Sequence, residues 1–502
     1  MDLTHPFFSG IAGTGMSALA QYLAFQGTPV SGSDRSLDRG AEAVKRAYFE
    51  RIGVTLFPQD GSGLDGCSCL VVSTAIEAQN PEVQRANSLK LPIVHRSDLL
   101  AELARRRKTI AISGTSGKST VTGMTFHVLD AGGLKPSLIT GANLNSLLGE
   151  GLLGNAKAGA GSGPDSWLVI EADESDGSLI KYAPEIGVIL NVEKDHKEIS
   201  ELIPLFETFR DKTARRVILN GDDTHCAALA RPQDLLFRPG STADGAAQQI
   251  VLGDWETRFS LGGTAFLLNV PGRHNLANAM AAIAIGRELG ISLADCAKGL
   301  AAYRGVERRH VRIGETGGIT VVDDFAHNPA KVKACLETVK HAGGPGRADG
   351  SPRRILAVFH PHGFAPMKLM GKDLVAAAVE ALEASDILFM PEIYYAGGTA
   401  DKSISSADLI REANGMMAAK SARSAIGTTA AKTASAASTA TKDAARAIND
   451  PGPFARCYPT KDEVIAAITQ AARPGDWVVT MGARDPSLGD FAAKLFLALS
   501  AR

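Results

Sequence analysis

The stretch TIAISGTSGKSTVTGMTFHVL, residues 109–129, decides how this chain is read. It opens as a short apolar run, continues as a glycine-bounded turn and ends in a helical pattern. A Lys and a hydroxyl at the start of a helix, just after a tight turn, suit a nucleotide phosphate. Helix N–H groups and the helix dipole hold phosphate oxygens. Lys118 would reach the β- and γ-phosphates, and the Ser119 hydroxyl would ligate Mg2+. Gly114, Thr115, Ser116, Gly117 and Thr120 complete the loop. The common phosphate-loop pattern asks for a glycine five residues before Gly117, where this chain has Ile112. The loop is therefore expected to be short.

Around this segment, strand and helix signals alternate, which predicts an α/β fold with parallel sheets. FFSGI, CLVVSTA, SWLVIEA, IGVILNV, RRVILNG, GITVVDD, RILAVFH, DILFMPE and DWVVTMG read as further strands. MSALAQYLAFQG and NLANAMAAIAIGRELG read as helices. Three blocks each begin with a strand–turn–helix unit, as an independent doubly wound domain would. They are residues 1–107, 108–312 and 313–502. Two stretches break the alternation. GNAKAGAGSGPDS, 154–166, reads as a flexible loop. Residues 416–448 are mostly Ala, Ser, Thr and Lys without an apolar stripe, and read as a disordered or loosely helical insertion.

The chain has 502 residues, 45% of them hydrophobic, and a net charge of −1 from 53 basic and 54 acidic residues. No basic concentration marks a nucleic-acid surface. RRRK at 105–108 reads as a solvated helix end. Six cysteines lie without metal or disulfide spacing, so inert thiols are expected. No run of about 18 apolar residues predicts a membrane span. A soluble cytoplasmic protein is expected, and nothing in the sequence gives its oligomeric state.

The short loop GTSGKST resembles the ATP loop of the Mur ligases, which build the peptide stem of peptidoglycan. Other motifs agree in chain order: FFSGIAGTGMSALAQYL with VSGSD, EADESDGSLIKYAPEIGVILNVEKDH, PGRHNLANAMAAIA, GVERRHVRIGETGGITVVDDFAHNP and GDWVVTMGARD. They look most like the members that add the first amino acid. The resemblance implies a Rossmann-like N-terminal domain for a UDP-sugar, a P-loop ATPase-like central domain and a Rossmann-like C-terminal domain for the amine. It implies an ATP-dependent ligase that activates the carboxylate of UDP-N-acetylmuramate as an acyl phosphate and joins it to an amino acid, with ATP and Mg2+. Closure about the junctions near 107 and 312 would protect the acyl phosphate from water.

Residue roles follow from the same resemblance. Lys118, Glu171 and His196 would be catalytic, and Ser119, Glu171 and His196 would hold the metal. His274, Asn275, Arg309 and Asp324 would contact ATP, with a plain helix-capping role open for His274 or Asn275. Gly10, Gly13, Gly15, Asp34, Ser73, His327 and His362 would contact substrate; Arg96 fits the same edge. The glycine turn alone would also suit a dinucleotide, but nothing else supports an oxidoreductase. Asp173, Glu174, Ser175 and Asp176 would orient substrate and waters. Lys212 is either a carbamylated metal bridge or a surface lysine.

One region departs from the pattern. The alanine-adding ligases carry arginines after the strand equivalent to ILAVF, where the amino-acid carboxylate would be paired. This chain reads HPHGFAPMK there, with Gly363 and Pro366 in place of arginine. His360, His362 and Lys368 would remain as cations. DDFAHNP also has Asn328 in place of a second His. The expectation is a ligase of altered amine choice, taking L-alanine, another amine or a recycled peptide. A non-catalytic UDP-muramyl sensor is the reading from another class.

Overall fold

Parallel strands buried on both faces read as uninterrupted apolar runs, and all ten runs picked out above are strands. The computed structural model describes residues 1–161, 163–194, 197–240, 246–341, 353–395, 401–432, 453–483, 485 and 487–502. They form two compact units: Met1–Val251 with Glu256–Glu307, and Leu252–Trp255 with Arg308–Arg502.

The first unit contains two parallel sheets. The N-terminal one comprises β1 (Pro6–Ser9), β2 (Ser31–Ser33), β3 (Thr55–Leu56), β4 (Cys69–Val72) and β5 (Ile93–His95), in the order β3-β2-β1-β4-β5. That order changes direction beside β1, where doubly wound sheets take ligands. The larger sheet comprises β6 (Lys108–Ser113), β7 (Ser137–Ile139), β8 (Ala156–Lys157), β9 (Trp167–Glu171), β10 (Ile186–Ile189), β11 (Arg216–Asn220) and β12 (Leu235–Phe237). Its order is β12-β11-β10-β6-β9-β7-β8, and only β8 runs antiparallel to its neighbour. A small sheet of β13 (Gln248–Leu252), β14 (Thr257–Leu261) and β15 (Thr264–Leu268) follows.

Strand β6 is the spine of this unit. Its Ile110, Ala111 and Ile112 are wholly buried, each isoleucine stabilising the fold by about 1.5–3 kcal/mol. Ile112 pairs with Val188 on one side and Glu171 on the other. The position of the missing glycine is thus a core strand residue, and the loop begins only at Gly114. Behind the loop, helix Lys118–Ala131 packs against helices Arg273–Glu288 and Leu293–Ala302. They approach closely: a Cβ on Gly299 would stand 2.6 Å from the His127 carbonyl oxygen.

The second unit is built on one sheet of β16 (Val311–Thr316), β17 (Ile319–Asp324), β18 (Ile355–Phe359), β19 (Ile387–Pro391), β20 (Ala455–Tyr458) and β21 (Trp477–Met481). Its order is β16-β17-β21-β18-β19-β20, with β16 the antiparallel edge.

Two expectations need correction, and a third is met in its helical alternative. The stretch 154–166 contains strand β8 and the buried Asn155. Asn155 accepts from Gln21 (2.7 Å) and donates to Ser17 Oγ and the Thr14 carbonyl, both at 2.8 Å. A wholly satisfied buried amide ties this segment to the N-terminal sheet's first helix. The stretch from 416, expected to be disordered or loosely helical, is helical as far as Lys432, as the end of helix Ser406–Lys432, whose Leu409, Ala413 and Met417 recur at helical spacing and are buried. Residues 433–448 lie outside the described residues. Within RRRK, Arg107 is no solvated end: it donates to Gln26, Gly161 and Ser166 and lies over the Tyr22 ring. Among the described residues no helix is long and apolar enough to cross a membrane. All six cysteines are free, and five are buried.

Candidate active site

The loop at the end of β6 needs two left-handed glycines. Gly114 has φ +135° and Gly117 φ +85°, and a Cβ on Gly117 would meet Asn278 Oδ1 at 2.6 Å. Gly117 precedes helix Lys118–Ala131 without any side-chain cap. The first intrahelical bond is Val121 N–H to the Gly117 carbonyl, which leaves the N–H groups of Lys118, Ser119 and Thr120 facing the helix end. Asn191, just past β10, holds the loop from the other side. Its Oδ1 accepts from Ser116 N–H (2.8 Å) and the Thr115 hydroxyl (2.9 Å), and its amide donates to the Ser116 carbonyl (3.1 Å). Asn278 of PGRHNLAN thus reaches the same turn; Asn191 is a residue the sequence reading missed, and its signal was an Asn just after an apolar strand.

Glu171 ends β9, the strand beside β6. Its Oε2 accepts from Ser119 Oγ (2.9 Å), Thr140 Oγ1 (3.0 Å) and Gly141 N–H (3.0 Å). Three donors therefore converge on one carboxylate oxygen at the loop's helix. His196 lies outside the described residues.

The acidic run after Glu171 is tied to the loop lysine. Lys118 donates to Glu174 Oε2 (2.7 Å) and the Gly114 carbonyl (2.8 Å), with Asp173 at 3.6 Å. Burial opposes the ammonium, but the charges of Glu174, Asp173 and Glu171 outweigh it and hold the Lys118 pKa above its usual value. Burial raises the Glu174 carboxyl against the pull of Lys118. Asp173 is itself pushed up by burial, yet Lys118 and Ser175 bring it below the ordinary range. Farther along, Asp176 pairs with Arg96 at 3.3 Å. Arg96 lies over Gly15, with Nη1 2.7 Å from the place of a Cβ. Gly15, Arg96, Thr140, Glu171, Asp173 and Asp176 line one open cleft within the first unit.

At the N-terminal sheet, Gly10 has φ +76° and turns the chain after β1. Gly13 caps helix Thr14–Phe25 without a side chain. Asp34 accepts from Ala12 N–H (3.1 Å) through one oxygen, and from Ser36 N–H (2.8 Å) and Ser36 Oγ (2.6 Å) through the other. It latches the turn to the next helix. Ser73 accepts from Ala75 N–H in the loop after β4.

Helix Arg273–Glu288 is capped by Gly272, not by His274 or Asn275. Asn275 is buried and donates back to the Pro271 carbonyl at 2.7 Å, while His274 is exposed. Lys212 is exposed at the end of helix Ile199–Lys212 and donates to the Ile180 carbonyl.

The second unit holds the remaining candidates. Arg308 pairs with Asp323 at 2.9 Å, while Arg309 lies 5.1 Å from the Phe325 ring centre. Asp324 accepts from His310 N–H (2.8 Å) and Ala326 N–H (2.7 Å). Burial pushes its carboxyl up to about 6, with Arg309 working against it. The His327 and His362 rings lie 5.7 Å apart, and both are buried. The expected cations after β18 are not all cations. His360 is buried beside Asp485, and burial takes its pKa down to about 4. Lys368 is already engaged by Asp401. Gly363, at φ +74°, caps helix Phe364–Ala381.

Three descriptions of known families match in order: Mur ligase family, catalytic domain, over residues 7–108; Mur ligase middle domain over 112–286; and Mur ligase, glutamate ligase domain, over 308–386. The chain is 35% identical to a UDP-N-acetylmuramate–L-alanine ligase of Streptomyces avermitilis, covering 96% of this chain and 95% of the relative. It is 34% identical, over the same shares, to one of Pelotomaculum thermopropionicum. Among solved structures, the UDP-N-acetylmuramate-alanine ligase of Thermotoga maritima superposes with a TM-score of 0.70 at 23% identity, covering 99% of both chains.

Proposed function

The chain belongs to the Mur ligase family, and from that premise we propose that it joins L-alanine to UDP-N-acetylmuramate at the expense of ATP. The observation that carries this is the meeting of Lys118, Ser119 and Glu171 at the ends of β6 and β9. A carboxylate is a poor acyl donor at neutral pH, so it must first take the γ-phosphoryl group. Two anions then have to approach each other. Lys118 and the N–H groups of the first helical turn bind and orient the triphosphate and offset that charge. Lys118 must leave Glu174 to do so, which couples ATP binding to a rearrangement of the acidic run. The acyl phosphate then yields to the amine, and phosphate departs.

Ser119, Thr140 and Glu171 offer oxygen donors around one point, which suits a hard cation. Ser119 and Glu171 would hold Mg2+, and His196 is proposed as a further ligand. When bound, the ion neutralises charge on the phosphates. Arg96 and the uncapped end of helix Thr14–Phe25 are proposed to meet the diphosphate of the sugar nucleotide.

The amine end supports L-alanine through the curated relatives, which are named for it. A peptide amine is the second reading, favoured by the absence of arginine from HPHGFAPMK and by a neutral His360. The test is ADP release by purified protein across UDP-sugars and amines. Release that needs both UDP-N-acetylmuramate and L-alanine is expected. Release with a peptide and not with L-alanine would select the second reading, and none with any pair would overturn both.

A further inference from the structure

Glu82 is wholly buried near the start of helix Pro81–Leu89, and no step above uses it. A buried carboxylate needs a reason and a full set of partners. Ser9 donates to one oxygen and Ser33 to the other, and the Gln59 side chain is a further hydrogen-bond partner. The Glu82 N–H is held by Asn80 Oδ1 at 2.8 Å, and its place in the first helical turn favours negative charge.

Those serines occupy a special position. Ser9 ends β1, Ser33 ends β2, and the two are paired in register. The Ser33 carbonyl accepts from both Gly10 and Ile11 N–H at 2.9 Å. Asp34, the next residue, accepts from Ala12 N–H. One carboxylate thus anchors both strand ends from which the Gly10–Gly15 turn and its latch are hung.

We propose that Glu82 is a positioning residue for the sugar nucleotide: through Ser9 and Ser33 it sets the turn that presents the start of helix Thr14–Phe25 to the diphosphate. This rests on the reading above that the N-terminal sheet holds the UDP-sugar. A Glu82→Gln side chain keeps the shape but offers a donor where a hydroxyl now donates, so one strand end is released. Losing a hydrogen bond to a charged group weakens binding on the order of tenfold or more.

The experiment is steady-state kinetics and calorimetry of the full-length protein with UDP-N-acetylmuramate and with ATP. Glu82→Gln should raise the KM and Kd for UDP-N-acetylmuramate about tenfold, with kcat and the KM for ATP within about twofold of the parent. Ser33→Ala, a smaller change, should move the same constants in the same direction. The double variant should fall short of the product of the two effects, since both act through one contact. Unchanged sugar-nucleotide constants in both single variants, or equal losses for both substrates, would overturn the proposal. Failure of the parent protein itself to bind UDP-N-acetylmuramate would overturn the underlying assignment along with it, and is told apart by that one titration.

Discussion

The Ser119 hydroxyl donates a 2.9 Å hydrogen bond to Glu171 Oε2, so the first turn of the loop helix and the end of the neighbouring strand meet on one oxygen. If Mg2+ is held there, the two residues differ in weight: a carboxylate supplies charge and a hydroxyl only a dipole. Glu171→Gln should lower kcat/KM by roughly a hundredfold or more, and Ser119→Ala should raise the Mg2+ needed for half-maximal rate about tenfold. Both are read from ADP release against Mg2+ concentration. Equal Mg2+ dependence in parent and variants would remove the metal from this point.

Lys118 and Glu174 are a buried pair, with side chains 13% and 4% exposed. Lys118→Ala should abolish turnover, and it should also leave a buried carboxylate without its cation. Breaking such a pair costs on the order of 3–5 kcal/mol. Adding Glu174→Gln should restore the stability and not the activity. Denaturant unfolding of the parent and the two variants checks this; a Lys118→Ala protein as stable as its parent would show that the pair is not coupled in solution.

Asn191 makes three side-chain hydrogen bonds to Thr115 and Ser116. Asn191→Ala frees the loop on the side away from its helix. The expected outcome is a KM for ATP raised by roughly tenfold with the KM for the sugar nucleotide unchanged, since lost contacts of this kind are each worth about 1 kcal/mol. Kinetics with each substrate varied in turn decides it.

The sequence made the centre of each sheet legible and left its margins dark. Strands such as β6, β10 and β18 are buried on both faces, so their runs of Val, Ile and Leu could hardly be anything else. Strands β3, β7 and β8 have two or three residues each, too short to carry a period. The phosphate loop was legible because Gly, Lys and Ser must be local to one turn. Asn191 was not, because it reaches that loop from 75 residues away. The same holds for Asn155, whose partners lie on another sheet's helix. Charge state is the least visible: HPHG reads as cationic, and only burial beside β21 takes the His360 pKa down.

That burial gives the second unit opposed pH responses. His360 has a folded pKa of about 4 against an ordinary 6.5, so the unfolded chain takes up its proton first and stability is lost as pH falls from about 6.5 to about 4. Asp324 has a folded pKa of about 6 against 3.8, so the folded chain takes up its proton first and stability is gained as pH falls from about 6 to about 4. Each effect is on the order of 3 kcal/mol over its window, and in the parent they largely cancel. Single substitutions uncouple them. His360→Gln should make the unit gain stability on acidification relative to the parent, and Asp324→Asn should make it lose stability, each on top of a pH-independent cost for the altered contacts. Two of the three tryptophans, Trp255 and Trp477, stack in this unit at 5.1 Å, so intrinsic fluorescence during denaturant unfolding at pH 4.5, 5.5 and 7 follows it. Parallel pH dependence in the parent and both variants would show that neither group titrates out of place.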